Sequence, residues 1–560
     1  MTRSLGRIAG RTRFVIVASL VLLACSLVSV DWAARQVSAQ SSCFVTLPDG
    51  DVQGGDQSAA CAFLGIPYGA STAGNNRWRP PQPPEPWTGI LNASGTPAQP
   101  VGCASISFVG MNPSFGGNEN CLTLNVWVRN PQPAGPVPVL VWLHTGAFTG
   151  ASGNFAGHRG SAFAARTGVV VVAPNYRVGP FGFLAHRALA AEDPQGSSGN
   201  YGLLDQQAAL RWVRDNIARF GGDPGNVTIA GTSAGGQSVG LQLVSPASAG
   251  LFHRAAVQSA YPTSGWRSND EALSQGDAFA ASLGCVDLDC MRSAPVNAVL
   301  TALGQATQQV SEPAGRTFWE PVIDGVVLPA QPRILFDSGV FHRVPTIVGF
   351  TRDEGWGAFI TRSFGSNVNL DVYEGWVSNE FGPYAADVLA LYAELAATSP
   401  MEAMARVVGD VQFVCEGRRL ARAIERTGTP AFVYSYEHEI DALSVDHVIH
   451  GVESNILFGN NYAPAVFPSY VLNAGDLTLH ARMAGYWARF AATGNPNRDG
   501  DSFFSWPRFT RPSGDGRGTD KYLIIASEIG EGTRLREAQC DFFEPLFLRS
   551  VLGGMPAATP

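Results

Sequence analysis

The stretch Gly231-Thr232-Ser233-Ala234-Gly235 sets a serine between two glycines, just after the β-branched run Val227-Thr228-Ile229-Ala230 and just before a helical segment, Gly236 to Val244. A serine on a tight turn between strand and helix is pushed out from the backbone. The flanking glycines lack the Cβ atoms that would clash where strand and helix cross. Five small residues alone also fit an ordinary turn, but the strand before and the helix after point to Ser233 as a nucleophile. A serine hydroxyl attacks poorly near neutral pH, so a base must lie within hydrogen-bond reach and a carboxylate must orient that base. In elbows of this kind the chain order is serine, acid, histidine. Six histidines follow Ser233, namely His253, His342, His438, His447, His450 and His480, and composition does not choose among them.

The elements that would position such a serine are legible as rhythm. Short apolar runs at Val137 to Leu143, Val169 to Ala173, Asn226 to Ala230, Pro345 to Phe350 and Ala431 to Tyr436 alternate with helical patterns. This predicts an α/β fold, a large and mostly parallel twisted sheet flanked by helices. Leu203 to Phe220 carries apolar residues at three- and four-residue spacing and reads as an amphipathic helix, stopped by Gly221-Gly222-Asp223-Pro224. Trp266 to Trp319 and Thr361 to Val408 are helical in pattern without strand rhythm. They read as insertions covering the sheet's carboxyl edge, where open α/β sheets bind ligands.

Composition narrows the function classes. Of 560 residues, 45% are hydrophobic and 15% charged, enough apolar material for a large folded core. Arg3, Arg7, Arg11 and Arg13 precede an apolar run from Phe14 to Val30, and Val37-Ser38-Ala39 fits a signal-peptidase site. Residues 1–39 are therefore expected to be a signal peptide, 40–550 one catalytic domain, and 551–560 a flexible tail. A retained membrane anchor is the alternative for the apolar run. Leu22-Leu23-Ala24-Cys25 also offers a lipoprotein box, with a lipid on Cys25, although the apolar Ser26 to Val30 after it argues against that. The expected location is secreted or periplasmic. Losing residues 1–39 removes five arginines and Asp31, moving the formal charge from -8 to -12, which excludes a nucleic-acid binder. A single lysine, Lys521, against 37 arginines fits a GC-rich bacterial genome. Eight cysteines remain after the leader, Cys43, Cys61, Cys103, Cys121, Cys285, Cys290, Cys415 and Cys540. An even number in an exported chain reads as disulfides. No Cys-x-x-Cys or His-Glu-x-x-His occurs, so no metal ligand set is visible.

Further stretches carry a resemblance. They are Gly65-Ile66-Pro67-Tyr68, Glu119-Asn120-Cys121-Leu122, Asn175-Tyr176-Arg177-Val178-Gly179, Gly199 to Gln206 (GNYGLLDQ), Phe220 to Pro224 and the serine elbow. Over nearly all of the mature region the chain resembles the type-B carboxylesterases, the group of cholinesterases, bile-salt-activated and fungal lipases and the non-catalytic neuroligins. The resemblance implies the α/β-hydrolase fold and a Ser-His-Glu triad. Asp353-Glu354-Gly355 looks like the family's acid motif and His450-Gly451-Val452-Glu453 its histidine motif, so Glu354 and His450 join Ser233. Asp353 and His447 are the nearest decoys. His144-Thr145-Gly146-Ala147-Phe148 resembles the family's oxyanion loop, and the amides of Gly146, Ala147 and Ala234 are the expected donors.

The same resemblance implies bridges Cys103 to Cys121, Cys285 to Cys290 and Cys415 to Cys540, leaving Cys43 and Cys61 as a fourth that stiffens the amino-terminal part. It implies an ion pair between Arg77 and Glu119, and no cofactor. The Cys103 to Cys121 loop, with Phe108, Met111 and Phe115, reads equally as a lid or as a packed surface loop. Two departures bear on substrate. Thr232 stands where most relatives have glutamate, and Met111 where cholinesterases place a choline-binding tryptophan. Choline esters are therefore not the expected substrate. Small or medium carboxylic esters are, with a lipase, an amidase or a non-catalytic binding module as alternatives.

Overall fold

In a computed structural model of the protein, the described residues are 43–57, 59–95, 101–109, 112–309, 319–356, 368–440, 446–461, 471–498, 500, 504–510 and 519–544. Side chains are described for these except at 107–109, 112–114 and 303–309. The expected signal peptide, the Cys25 site, Met111 and the tail 551–560 lie outside the described residues. The chain divides into two compact units, Met1–Phe44 and Val45–Pro560.

The second unit is organised around a large sheet, built from β1 (Gly50–Asp56), β2 (Ala60–Pro67), β3 (Thr123–Arg129), β4 (Val137–Leu143), β5 (Val170–Pro174), β6 (Gly222–Thr232), β7 (Arg254–Gln258), β8 (Thr346–Thr351), β9 (Ala431–Tyr436), β10 (Tyr522–Ile525) and β11 (Gly530–Gly532). These lie side by side in the order β1-β2-β3-β5-β4-β6-β7-β8-β9-β10-β11. From β5 through β10 every pairing is parallel, while β1 to β2, β2 to β3, β3 to β5 and β10 to β11 are antiparallel. The sheet is thus mixed and mostly parallel, as expected for the α/β-hydrolase fold. Strands β5, β8 and β9 are buried at every position. Being covered on both faces, they read in sequence as unbroken apolar runs instead of alternating ones.

The five strands expected from sequence are all present, with ends shifted by a few residues. The expected helix is α1 (Tyr201–Asn216), followed by a 3-10 turn, Ile217–Phe220, that ends at Gly221 with φ 78°. There the chain needs the left-handed conformation that glycine adopts without a Cβ penalty. The first expected insertion holds Asn269–Ser282, Leu288–Ser293 and Val296–Gln309. The second holds Leu370–Phe381, Ala385–Leu391, Ala393–Thr398 and α2 (Pro400–Gly409). It does not stop near Val408 as the pattern suggested. A single wide turn, Asp410–Val414, carries it on into α3 (Cys415–Glu425).

Three disulfides join Cys103 to Cys121, Cys285 to Cys290 and Cys415 to Cys540, and Cys43 and Cys61 are disulfide-bonded as well. The first closes a loop containing a hairpin, Ser105–Val109 against Asn112–Gly116. The Arg77 guanidinium grips Glu119 through two bonds of 2.7 and 2.6 Å and also donates to the Ala294 carbonyl. Both side chains are buried, so each charge depends on the other for its solvation. Among the described residues no helix is long and apolar enough to cross a membrane.

Candidate active site

Ser233, Glu354 and His450 lie far apart in sequence, but each follows the carboxyl end of a parallel strand, β6, β8 and β9 respectively. Parallel pairing puts those ends on one edge of the sheet. A parallel bridge between Asp353 and Ile449 brings the last two loops side by side. The next residue on each is Glu354 and His450. Their side chains meet, with Nδ1 of the imidazole 2.5 Å from Oε2 of the carboxylate.

Ser233 sits where β6 turns into α4 (Ala234–Val244), with φ 57° and ψ -127°. No ordinary L-residue rests there without strain, and the fold holds it by a bond from the Ser233 N-H to the Gln258 carbonyl at 3.0 Å. A Cβ on Gly235 would lie 2.0 Å from the Leu143 carbonyl oxygen. The elbow therefore needs glycine at this position, because the backbones of β4 and α4 touch there.

Glu354 is fully buried, and its other oxygen accepts the Thr351 N-H at 2.8 Å. Both carboxylate oxygens are thereby fixed, one by backbone and one by imidazole. The His450 ring keeps 18% of its side-chain surface exposed, and Phe413, from the wide turn before α3, packs against it at 5.0 Å between centroids. Burial opposes charge on this imidazole. The Glu354 carboxylate, the hydrogen bond to it and the nearby Glu453 outweigh burial and hold the pKa above the usual 6.5.

The decoys have other work. Asp353 accepts the Val448 N-H at 2.9 Å and pairs with Arg352 and Arg406, while His447 faces Glu402 and packs, tilted, against Trp356. Of the remaining histidines, His253 accepts the Val227 N-H, His342 bonds the Ser245 carbonyl, His438 meets Asp476, and His480 bonds the Ile456 carbonyl. Each is a satisfied group. Of the six, His450 is the one that meets the Glu354 carboxylate.

The loop after β4 is turned back on itself. Gly146, Ala147 and Phe148 have φ of 114°, 52° and 57°, and the Gly146 carbonyl accepts the amides of Thr149 and Gly150. A Cβ on Gly146 would fall 2.3 Å from the Gly150 oxygen. Folded this way, the Gly146 and Ala147 amides make no backbone hydrogen bond among the described residues. Ala234, the first residue of α4, has an amide with no intrahelical acceptor. Three N-H groups with no carbonyl of their own are what an oxyanion requires. The loop's base is tied down by the Tyr176 hydroxyl on the His144 carbonyl at 2.7 Å and by stacking of the two rings. Burial lowers the His144 pKa to about 4, so this imidazole stays neutral beside the site.

The chain matches the Carboxylesterase family over residues 41–543. It belongs to that family. It is 35% identical over 485 residues to a fumonisin B1 esterase of Sphingopyxis macrogoltabida, covering 84% of each chain. It is also 35% identical over 531 residues to an acetylcholinesterase of Electrophorus electricus, covering 81% of this chain and 80% of that one. The protein is accordingly a carboxylic ester hydrolase acting on an ester substrate. Its disulfides are of the kind that persist in extracellular or periplasmic compartments.

One group near the site escaped sequence reasoning. Glu453, the last residue of the histidine motif, is completely buried. It accepts hydrogen bonds from Ser259 at 2.7 Å and from Thr232, the neighbour of Ser233, at 3.3 Å. The one signal in the sequence was its place in the histidine motif, three residues after His450.

Proposed function

We propose that this member of the family cleaves small or medium carboxylic esters through a Ser233-His450-Glu354 triad and an acyl-enzyme intermediate. The observation that carries the reading is the 2.5 Å bond between His450 Nδ1 and a Glu354 whose other oxygen is held by backbone. That bond fixes the tautomer in which Nε2 is the base. Nε2 takes the Ser233 proton as Oγ attacks the ester carbonyl carbon. The resulting imidazolium returns the proton to the departing alcohol, and water repeats the sequence to free the acid. The amides of Gly146, Ala147 and Ala234 hold the oxyanion, and Glu354 stabilises the imidazolium without accepting its proton. Residues 40–550 act as one catalytic domain, exported by a signal peptide at 1–39.

A small acyl group is supported by Thr145 and Ala147, which stand where the family's oxyanion loop has glycines, and a choline ester is disfavoured because Met111 offers no aromatic face. The test is a chain-length series of p-nitrophenyl esters with wild type and Ser233→Ala. Loss of turnover to the uncatalysed level in a folded Ser233→Ala variant, with short soluble acyl chains preferred, is the expected result. Substantial residual turnover removes the triad reading. A rise in rate above substrate solubility turns the reading to a lipase.

A further inference from the structure

His438 and Ser527 stand two residues beyond the ends of neighbouring strands. β9 and β10 pair in parallel with Tyr436 opposite Ile525, and the Glu437 amide extends the pairing by donating to the Ile525 carbonyl at 2.7 Å. The same register carried further sets two side chains together at the carboxyl edge of the sheet, with Ser527 Oγ 3.2 Å from His438 Nδ1. The other ring nitrogen, Nε2, is 2.7 Å from Oδ1 of Asp476, in the first turn of α5 (Ala474–Thr493). Asp476 is buried, and its second oxygen accepts the Asn473 N-H at 2.8 Å. This carboxylate is held as Glu354 is, one oxygen by backbone and one by imidazole.

The bond to Asp476 decides the tautomer. A carboxylate only accepts hydrogen bonds, so Nε2 carries the proton and Nδ1 keeps a lone pair. The Ser527 hydroxyl is then the donor to Nδ1. A serine, an imidazole base and a carboxylate that orients the base are the parts that activate a nucleophile. The two ring nitrogens exchange the roles they have in His450. A strut that only ties His438 to α5 needs the bond to Asp476 and nothing on the far nitrogen. Other exposed serines are placed differently. Ser274 and Ser338 donate to the carbonyls of Asp270 and Ile334, which do not take up a proton.

We propose that Ser527, His438 and Asp476 form a second relay at which the protein is covalently modified by activated acyl or phosphonyl donors. It is distinct from the ester-cleaving site, because β9 and β10 lie three and four strands from β6, about 14 to 19 Å across the sheet. Ser527 is exposed in the link between β10 and β11 and has none of the positive φ that marks Ser233. It meets electrophiles from solvent, without a dry pocket to hold an ordinary alkyl ester. The donor must therefore bring a good leaving group. With a p-nitrophenyl ester, Oγ bonds to the carbonyl carbon, the bond from that carbon to p-nitrophenolate breaks, and the serine proton passes to Nδ1 and then to water. The product is an alkyl ester of serine, whose own leaving group is poor, so the adduct accumulates one-to-one and does not turn over. Glu437 and Glu528 adjoin the two residues in sequence, which favours neutral or cationic donors over anionic ones.

The experiment uses a neutral fluorophosphonate, which loses fluoride as phosphorus bonds to Oγ, read by intact mass and peptide mapping. Wild type is expected to take a fast adduct at Ser233 and a slower one at Ser527. Ser233→Ala keeps only the second, formed about a hundredfold faster than adducts at Ser274 or Ser338. In that background Ser527→Ala removes it. His438→Gln, whose amide still donates to Asp476, slows it about a hundredfold. Thermal midpoints report folding. Urea disperses the three residues, so in the unfolded Ser233→Ala protein Ser527 falls to the rate of the other serines, a comparison that stands even where His438→Gln does not fold. Labelling of Ser527 no faster than of Ser274 and Ser338, or unchanged by urea or by a folded His438→Gln, overturns the inference and leaves the triad intact. Labelling of wild type at Ser527 alone overturns the triad and leaves this relay standing.

Discussion

Replacing Glu354 with glutamine exchanges one oxygen for an amino group at the place where the imidazole is held, with almost no change of volume. Two losses result. The first is Coulombic. With charge centres about 4 Å apart and an effective dielectric constant of about 20, the carboxylate stabilises the imidazolium by about 4 kcal/mol, or about a thousandfold in rate. The second is geometric. The two oxygens of Glu354 each meet a group on their own side, the Thr351 N-H at 2.8 Å and His450 Nδ1 at 2.5 Å. Glutamine has one carbonyl oxygen for these two donors. If it serves Thr351, the amino group faces Nδ1 and selects the tautomer with the proton on Nε2, which cannot take a proton from serine. If it serves His450, the Thr351 amide is left facing a donor in a buried site. The expected result is a fall in kcat of about a thousand- to ten-thousandfold with little change in KM. The assay is p-nitrophenyl ester turnover, with circular dichroism and thermal unfolding as the fold control. A folded Glu354→Gln variant that retains more than about a tenth of wild-type kcat is incompatible with either loss and removes Glu354 from the triad.

Three further outcomes are expected. In wild type, kcat/KM should fall as pH is lowered through a pKa above 6.5, because protonated His450 cannot accept the serine proton and Glu354 raises that pKa; a limb below 6.5 contradicts this. Gly235→Ala forces a Cβ to within 2.0 Å of the Leu143 carbonyl, so it should lower the thermal midpoint by the equivalent of about 1–3 kcal/mol and displace the nucleophile. A Cys415→Ser, Cys540→Ser variant opens a link across 125 residues, which on chain entropy removes up to about 5 kcal/mol of stability, read as a lower midpoint in urea unfolding. A midpoint equal to that of wild type would show that the denatured chain is already restrained.

What the sequence made legible depends on how locally each feature is determined. Strands β4, β5, β6, β8 and β9 announce themselves as apolar runs, whereas β7 (RAAVQ) was not read as a strand, and its strand character comes from pairing with β6 and β8. β1 (GDVQGGD) has three glycines and a mixed burial pattern, so its strand character comes from pairing with β2. Four-residue β10 is too short to show a period. The turn Asp410–Val414 lies within a stretch that reads as ordinary helix, and its extra width shows only in the fold, where Phe413 packs against His450. Ser233 could be read from its neighbours, whereas Glu354 and His450 needed a family resemblance. Their choice over Asp353 and His447 depends on a bridge between two loops about a hundred residues apart. Glu453 was legible only as the last residue of the histidine motif, because its contacts join three segments, at Thr232, Ser259 and the histidine loop, that only the folded sheet edge assembles.

The strain in the backbone is distributed in the same way. Of ten described non-glycine residues with positive φ, five are Ala147, Phe148, Ala151, Ser233 and Ser259, all in the loops after β4, β6 and β7. Such conformations cost about 1–3 kcal/mol each and persist only where surrounding bonds outweigh them. Here those bonds are specific. The Gly179 amide holds the Phe148 carbonyl, the Gln258 carbonyl holds the Ser233 amide, and the Gly349 carbonyl holds the Ser259 amide. Two of the three reach from one strand end to the next, from β7 to the nucleophile and from β8 to Ser259. The sheet's own stability therefore holds the strained backbones of Ser233 and Ser259. The loop after β4 is held through Gly179, which begins the short helix Gly179–Phe183. A site organised this way does not spend substrate binding energy on arranging donors, so that energy remains for the transition state.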